Sequence, residues 1–159
     1  MTVGDEATVL WLTRVEGRSM EPTLHPGLLV PTRALGPRAA LRRGDVVVAE
    51  PRGLGRRVVK RVVGLPGERL TFDGGRVAVD GAALDEPYAT ASTYRGELLV
   101  PAGAFVLLGD NRDASEDARS WPSPFVARAE IVGRLLGRRR RRAAPPSDVS
   151  AVGGAARPR

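Results

Sequence analysis

Two polar residues in this sequence are of types and in settings that could do chemistry, and the first is distinguished by rarity. Among the 25 basic residues Lys60 is the sole lysine, and the others are arginines. A guanidinium stays charged under any protein condition, whereas a buried ammonium can lose its proton. Lys60 lies in Val58-Val59-Lys60-Arg61-Val62-Val63. Strand alternation sends it to the face of Val58 and Val62, and Arg61 to the face of Val59 and Val63. Desolvation on such a face lowers a lysine pKa and makes the amine a usable base near neutrality. A strand lysine can equally lay its stem over apolar surface and keep its head in water. The second residue is Ser19, after Val15-Glu16-Gly17-Arg18 and before Met20-Glu21-Pro22-Thr23-Leu24. A serine at a strand end, between a glycine and a turn, can present its hydroxyl beside backbone N–H groups, which suits a nucleophile with an oxyanion hole. The same setting also fits an ordinary turn or N-cap serine.

Other chemistries are excluded by composition. The chain has no cysteine and a single histidine, His25. Disulfides, thiolate metal sites and cysteine nucleophiles are impossible, and a zinc site built on several histidines is too. A Ser-His-Asp triad would have to use that one ring; six positions past the serine, it reads as a turn residue. No metal and no cofactor is expected.

The elements that must position Ser19 and Lys60 are short valine-rich runs separated by glycine and proline. Strands are expected at Thr8 to Val15, Leu28 to Pro31, Asp45 to Ala49, Arg57 to Val63, Arg69 to Phe72, Arg76 to Val79, Glu97 to Val100 and Phe105 to Leu108. Asp73-Gly74-Gly75-Arg76 suits a hairpin turn, since glycine accepts the positive φ it needs. Helix is confined to short turns around Ser19 to Leu24 and Ser115 to Arg119. The fold class is mainly β, a mostly antiparallel domain over residues 1–137. From 138 to 159 Arg, Ala, Pro and Gly dominate, apolar periodicity disappears, and disorder is expected.

The net charge of +7 comes largely from that tail, which carries the run Arg138-Arg139-Arg140-Arg141-Arg142. The body of the protein is near neutrality, so nucleic acid is not an expected partner. The run by itself could bind RNA or DNA, sit on anionic lipid or remain a solvated tail. No stretch approaches the roughly 20 apolar residues that span a bilayer, and the acidic start does not resemble a secretory leader.

Four segments together resemble the conserved boxes of bacterial type I signal peptidases (leader peptidases, peptidase family S26). Val15 to Leu24 resembles the nucleophile box, and Arg42-Arg43-Gly44-Asp45-Val46-Val47-Val48 the strand that follows it. Val59-Lys60-Arg61-Val62-Val63-Gly64-Leu65-Pro66-Gly67-Glu68 resembles the lysine box. Gly109-Asp110-Asn111-Arg112-Asp113-Ala114-Ser115-Glu116-Asp117 resembles the last box, continued by Arg119 and Trp121. They occur in the family's order across about residues 9–136, a far more specific signal than any single box.

The resemblance implies the signal-peptidase fold, with little helix, and a Ser/Lys dyad without histidine. Ser19 would be the nucleophile and Lys60 the general base. Ser115 matches a serine that hydrogen-bonds and orients the lysine. Asp110 and Asp117 match acids that hold the site together, Asp110 by pairing with Arg61 or Arg112. The oxyanion hole would use the Ser19 N–H; Gly17 stands where some members carry a second donor, a serine hydroxyl. Val15, Met20, Leu24 and Val59 are candidates for the walls of small-residue pockets, although plain core packing would also account for them. The implied substrates are exported preproteins cut after an A-x-A pattern, bound as an added strand. The implied location is the extracytoplasmic face of the plasma membrane, and a monomer is expected.

Three departures from the family pattern are visible. Only eighteen residues precede Ser19, where the family has a membrane anchor, so a peripheral, soluble or N-terminally truncated member is expected. Ala118 and Pro122 stand where serine and glycine are common. The segment Leu70 to Ala104 is short, as in the small form with little second domain. The same chemistry would serve a dedicated maturation protease, such as one trimming nickel superoxide dismutase. A catalytically silent leader-binding module would keep the fold without the reaction. Self-cleaving repressors share the dyad, but their DNA-binding helical domain is missing here.

Overall fold

The valine-rich runs form strands in a computed structural model, which describes residues 9–137. The expected tail and its arginine run lie outside the described residues. The strands are β1 (Leu10–Arg14), β2 (Leu29–Ala34), β3 (Val46–Ala49), β4 (Val58–Gly64), β5 (Arg69–Asp73), β6 (Arg76–Val79), β7 (Ala82–Ala83), β8 (Arg95–Leu99), β9 (Ala104–Leu108), β10 (Val126–Ala127) and β11 (Ile131–Leu135). All pairings are antiparallel. Among the described residues the helical segments are two 3-10 turns, Arg112–Ala114 and Arg128–Glu130. Near the expected helical turn at Ser115 to Arg119 the chain makes a turn closed by Ser120 and Trp121 N–H bonds to the Asp117 carbonyl, at 2.8 and 3.0 Å. Around Ser19 to Leu24 the chain makes turns, closed by a Leu24 N–H bond to the Met20 carbonyl at 2.9 Å.

A seven-stranded sheet runs β1-β2-β11-β3-β4-β9-β10, and a four-stranded sheet runs β7-β6-β5-β8. The second sheet is built wholly from the short segment between the lysine box and the last box. Its Leu70, Phe72 and Val77 join Val47, Val62 and Leu107 of the larger sheet in one hydrophobic cluster. Each such side chain contributes about 1.5–3 kcal/mol when buried, so the small sheet is anchored by shared core. A smaller cluster of Val15, Val30, Val48 and Leu135 underlies the start of the cleft described below.

The strand β11 was not expected from the sequence, yet it lies in the middle of the larger sheet, paired with β2 and β3. It carries the last part of the chain back between strands far earlier in sequence. Strands β1 and β4 are separated by three others, β2, β11 and β3, in sheet order. Both nevertheless line one cleft, because the sheet curls through its right-handed twist. That curl brings the segment leading to Ser19 opposite Lys60.

Candidate active site

Ser19 sits just past β1, and Lys60 is the third residue of β4. Their side chains meet: Lys60 Nζ donates to Ser19 Oγ at 2.7 Å. The lysine is 5% exposed, with Val58 and Val62 on its own strand also buried. Burial is the main cause that lowers its pKa from 10.5 to about 8; Asp117 and, less strongly, Glu116 oppose it, while Arg56 and, less strongly, Arg119 assist. An amine with that pKa is neutral in a large fraction of molecules near pH ~8 and can then accept a proton.

The last box packs over the dyad. Gly109 N–H donates to Asp117 Oδ2 at 2.9 Å, and Arg119 clasps both carboxylate oxygens of Asp117, each at 2.8 Å. Asn111 N–H donates to the Ser19 carbonyl at 3.0 Å, and Asn111 Nδ2 donates to the Arg18 carbonyl at 3.1 Å. Gly109 is required by close approach: a Cβ there would meet Ser115 Oγ at 2.1 Å and the Ser19 carbonyl oxygen at 2.6 Å. Ser115 is thereby held beside the nucleophile's backbone. Its Oγ is buried without a hydrogen-bond partner, so the bond to Lys60 that the resemblance implied is not made in this structure.

Asp110 takes two bonds from Arg61, at 2.8 and 2.6 Å, and a third from Thr23 Oγ1 at 2.5 Å. Of the two partners expected for Asp110, the structure selects Arg61. Arg112 instead bonds Glu86, at 3.1 and 2.7 Å, and the Gly109 carbonyl at 3.1 Å. The reason is directional. Arg61 on β4 points at Asp110, two residues past the end of the neighbouring strand β9, while Arg112 has turned further into the 3-10 turn.

The cleft has a volume of about 700 Å³ and is lined by Trp11 to Met20 on one side and Arg56 to Lys60 on the other. The side of β1 away from β2 is unpaired in the sheet, so an extended peptide could add to it as a strand. Of the expected pocket residues, Val15, Met20 and Val59 line this cleft. Leu24 is a correction: the turn after Met20 carries it away from the cleft, and it packs on the smaller core cluster. Gly17 lines the cleft with a φ of 69°. A side chain there would meet no atom within 4 Å, so backbone conformation, not space, favours glycine. His25 is exposed and reaches only Glu21, at 3.4 Å. Among the described residues no cluster of His, Asp and Glu could hold a metal ion.

The supporting residues that sequence reasoning did not single out are Asn111, Arg119, Thr23 and Glu86. Asn111 and Arg119 lay within or beside the last box. Thr23 lay within the nucleophile box and Glu86 in no motif, and the bonds of both were hidden because their partners are 87 and 26 positions away.

A family model described as signal peptidase, peptidase S26, matches residues 6–138. The chain belongs to this family. A signal peptidase I from Bacillus caldolyticus is 35% identical over 138 residues, covering 76% of this chain and 74% of that protein. One from Leptolyngbya laminosa is 40% identical over 105 residues, 60% of this chain and 51% of that protein. The chain therefore spans from about half to three quarters of the length of these two relatives. A solved signal peptidase I from Enterococcus faecalis V583 superposes with a TM-score of 0.53 at 28% identity, covering 62% of this chain and 98% of that one. The mainly β, antiparallel architecture is thus that of a signal peptidase.

Proposed function

We propose that this chain is a serine endopeptidase that removes amino-terminal signal peptides from exported preproteins, cutting after small residues in an A-x-A pattern. The observation that carries this reading is the 2.7 Å contact between Lys60 and Ser19, made by a lysine whose burial brings its pKa to about 8. Neutral Lys60 takes the proton of Ser19 Oγ as that oxygen attacks the scissile carbonyl. The oxyanion faces the Ser19 backbone N–H. Collapse of the tetrahedral intermediate breaks the C–N bond; the leaving amine takes the proton from Lys60, and an acyl-enzyme remains. Lys60 then deprotonates the water that hydrolyses the ester.

The leader lies extended along β1 and opposite Val58 to Lys60, with Val15, Met20 and Val59 limiting side-chain size near the cut. Asp117 and Arg119 support the lysine's surroundings, and Asp110 with Arg61 supports the loop that carries them. The protein works at the extracytoplasmic face of the plasma membrane. Two features support contact with lipid. Leu10, Leu12 and Leu29 are exposed by more than half, and the pairing of β1 with β2 sets them on one sheet face with Pro31. The five-arginine run begins two residues after Leu136, which is hydrogen-bonded to Pro31. Arginines near an anionic surface contribute about 1 kcal/mol each. Among the described residues no helix is long and apolar enough to cross a membrane.

The test is cleavage of an A-x-A leader substrate in detergent by the parent, Ser19→Ala and Lys60→Ala. Cutting after the small residue, with both variants slowed at least about a hundredfold, supports the dyad. A folded but inert parent would favour a leader-binding role.

A further inference from the structure

The segment between β7 and β8 has no regular secondary structure, yet it makes a dense set of bonds to the last box. Thr90 N–H donates to the Asp110 carbonyl at 2.9 Å, and Thr90 Oγ1 accepts from the Arg112 N–H at 2.9 Å. Thr93 N–H donates to Asp113 Oδ1 at 3.1 Å, and Arg119 Nη1 donates to Ser92 Oγ at 3.1 Å. Tyr88 lays its ring over the Arg61 guanidinium, 3.8 Å from carbon to centroid, and donates its hydroxyl to Glu86 Oε1 at 3.0 Å. The centre of this strap is the Glu86–Arg112 pair, whose side chains are only 6% and 2% exposed.

The turn clamped by the strap is the one that touches the nucleophile. Arg112 Nε holds the Gly109 carbonyl. Between them, Asn111 bonds the carbonyls of Ser19 and Arg18. A continuous path of hydrogen bonds therefore runs from the Glu86 carboxylate through Arg112 and the 109–112 turn to the backbone of Ser19. Glu86 does not line the cleft, so it acts on the reaction through its bonded neighbours, Arg112 first among them.

We propose that Glu86 is a positioning residue for the nucleophile: through its buried pair with Arg112 the strap fixes the Asn111 turn and, with it, the backbone of Ser19. Removing the carboxylate leaves Arg112 buried and unpaired, which loosens the turn. This rests on the proposed peptidase reading for its catalytic consequence, but not for the structural coupling.

The experiment uses the full chain as Glu86→Ala and Glu86→Gln, with Ile131→Ala as a control. Ile131 is buried on β11 in the shared core, paired with β3, and lines neither the cleft nor the cavity beside Ser92 and Arg112, so its truncation lowers thermal stability away from the strap. Amide hydrogen exchange followed by NMR is expected to be faster at Asn111 in Glu86→Ala by about tenfold or more, with the β4 amide of Val62 changing no more than in the control. Glu86→Gln, which retains an acceptor, should recover part of the protection. With an A-x-A peptide, kcat should fall about tenfold at unchanged KM, because the lost geometry is that of the reacting group. Unchanged exchange at Asn111 overturns the coupling. Faster exchange with kcat no lower than in Ile131→Ala, or a change confined to KM, overturns the positioning role. Faster exchange in a chain whose parent cuts no leader peptide upholds the coupling and counts against the peptidase reading instead.

Discussion

A base that must be neutral carries a thermodynamic signature besides its kinetic one, and Lys60→Met exposes it. Burial lowers the Lys60 pKa from 10.5 to about 8. At about 1.36 kcal/mol per unit, keeping the charged amine in the folded site costs the protein at most about 3 kcal/mol. Methionine fills a similar volume with no charge to desolvate, but leaves Ser19 without its lysine bond, a loss of about 1 kcal/mol. The variant is thus expected to be more stable than the parent by roughly 2 kcal/mol near neutral pH. The sign of the pH dependence follows from the folded pKa lying below the unfolded one. Below about 8 both states of the parent hold the proton and the full cost is present. Between about 8 and 10.5 the folded state has released it while the unfolded state has not, so parent stability rises with pH and the gap to Lys60→Met closes. Urea unfolding of both proteins across that window measures the gap, and equal m-values show that the same transition is compared. A Lys60→Met chain that is less stable at neutral pH, or a gap that does not change with pH, would refute the reasoning. The parent's kcat/KM should rise through the same pH range as the amine becomes neutral.

Two further substitutions separate architecture from chemistry. Gly109→Ala drives a methyl group to 2.1 Å from Ser115 Oγ and 2.6 Å from the Ser19 carbonyl. It should lower stability by about 1–3 kcal/mol and slow cleavage strongly, read by thermal melting and peptide hydrolysis. Ser115→Ala removes a buried hydroxyl that has no partner. It should leave stability unchanged or raise it by about 1 kcal/mol, while cleavage slows if the hydroxyl orients Lys60 during turnover; a clear loss of stability would contradict the unpartnered geometry.

The sequence by itself determined the family and most of the strands, and it supplied the residues on which the proposed chemistry rests. A lone lysine within a valine run, a serine between a glycine and a turn, and four boxes in family order were all legible because each is local. The hairpin at Asp73 to Arg76 is legible for the same reason, since the turn's conformational demand falls on adjacent glycines. What the sequence did not reveal is long-range. The run Ile131-Val132-Gly133-Arg134-Leu135 has apolar positions for a strand, but nothing local places it between β2 and β3. That insertion, together with the sheet's curl, brings β1 opposite β4. The partners of the buried charges were equally hidden. Asp110 had two arginines in reach by sequence, and strand adjacency chose Arg61; Arg112 then took Glu86, from a segment with no motif. Leu24 left the cleft because a turn carried it onto the smaller core. A side chain's chemistry is written in its type, but a buried charge's partner depends on which strands the fold sets side by side, and only the tertiary structure decided that.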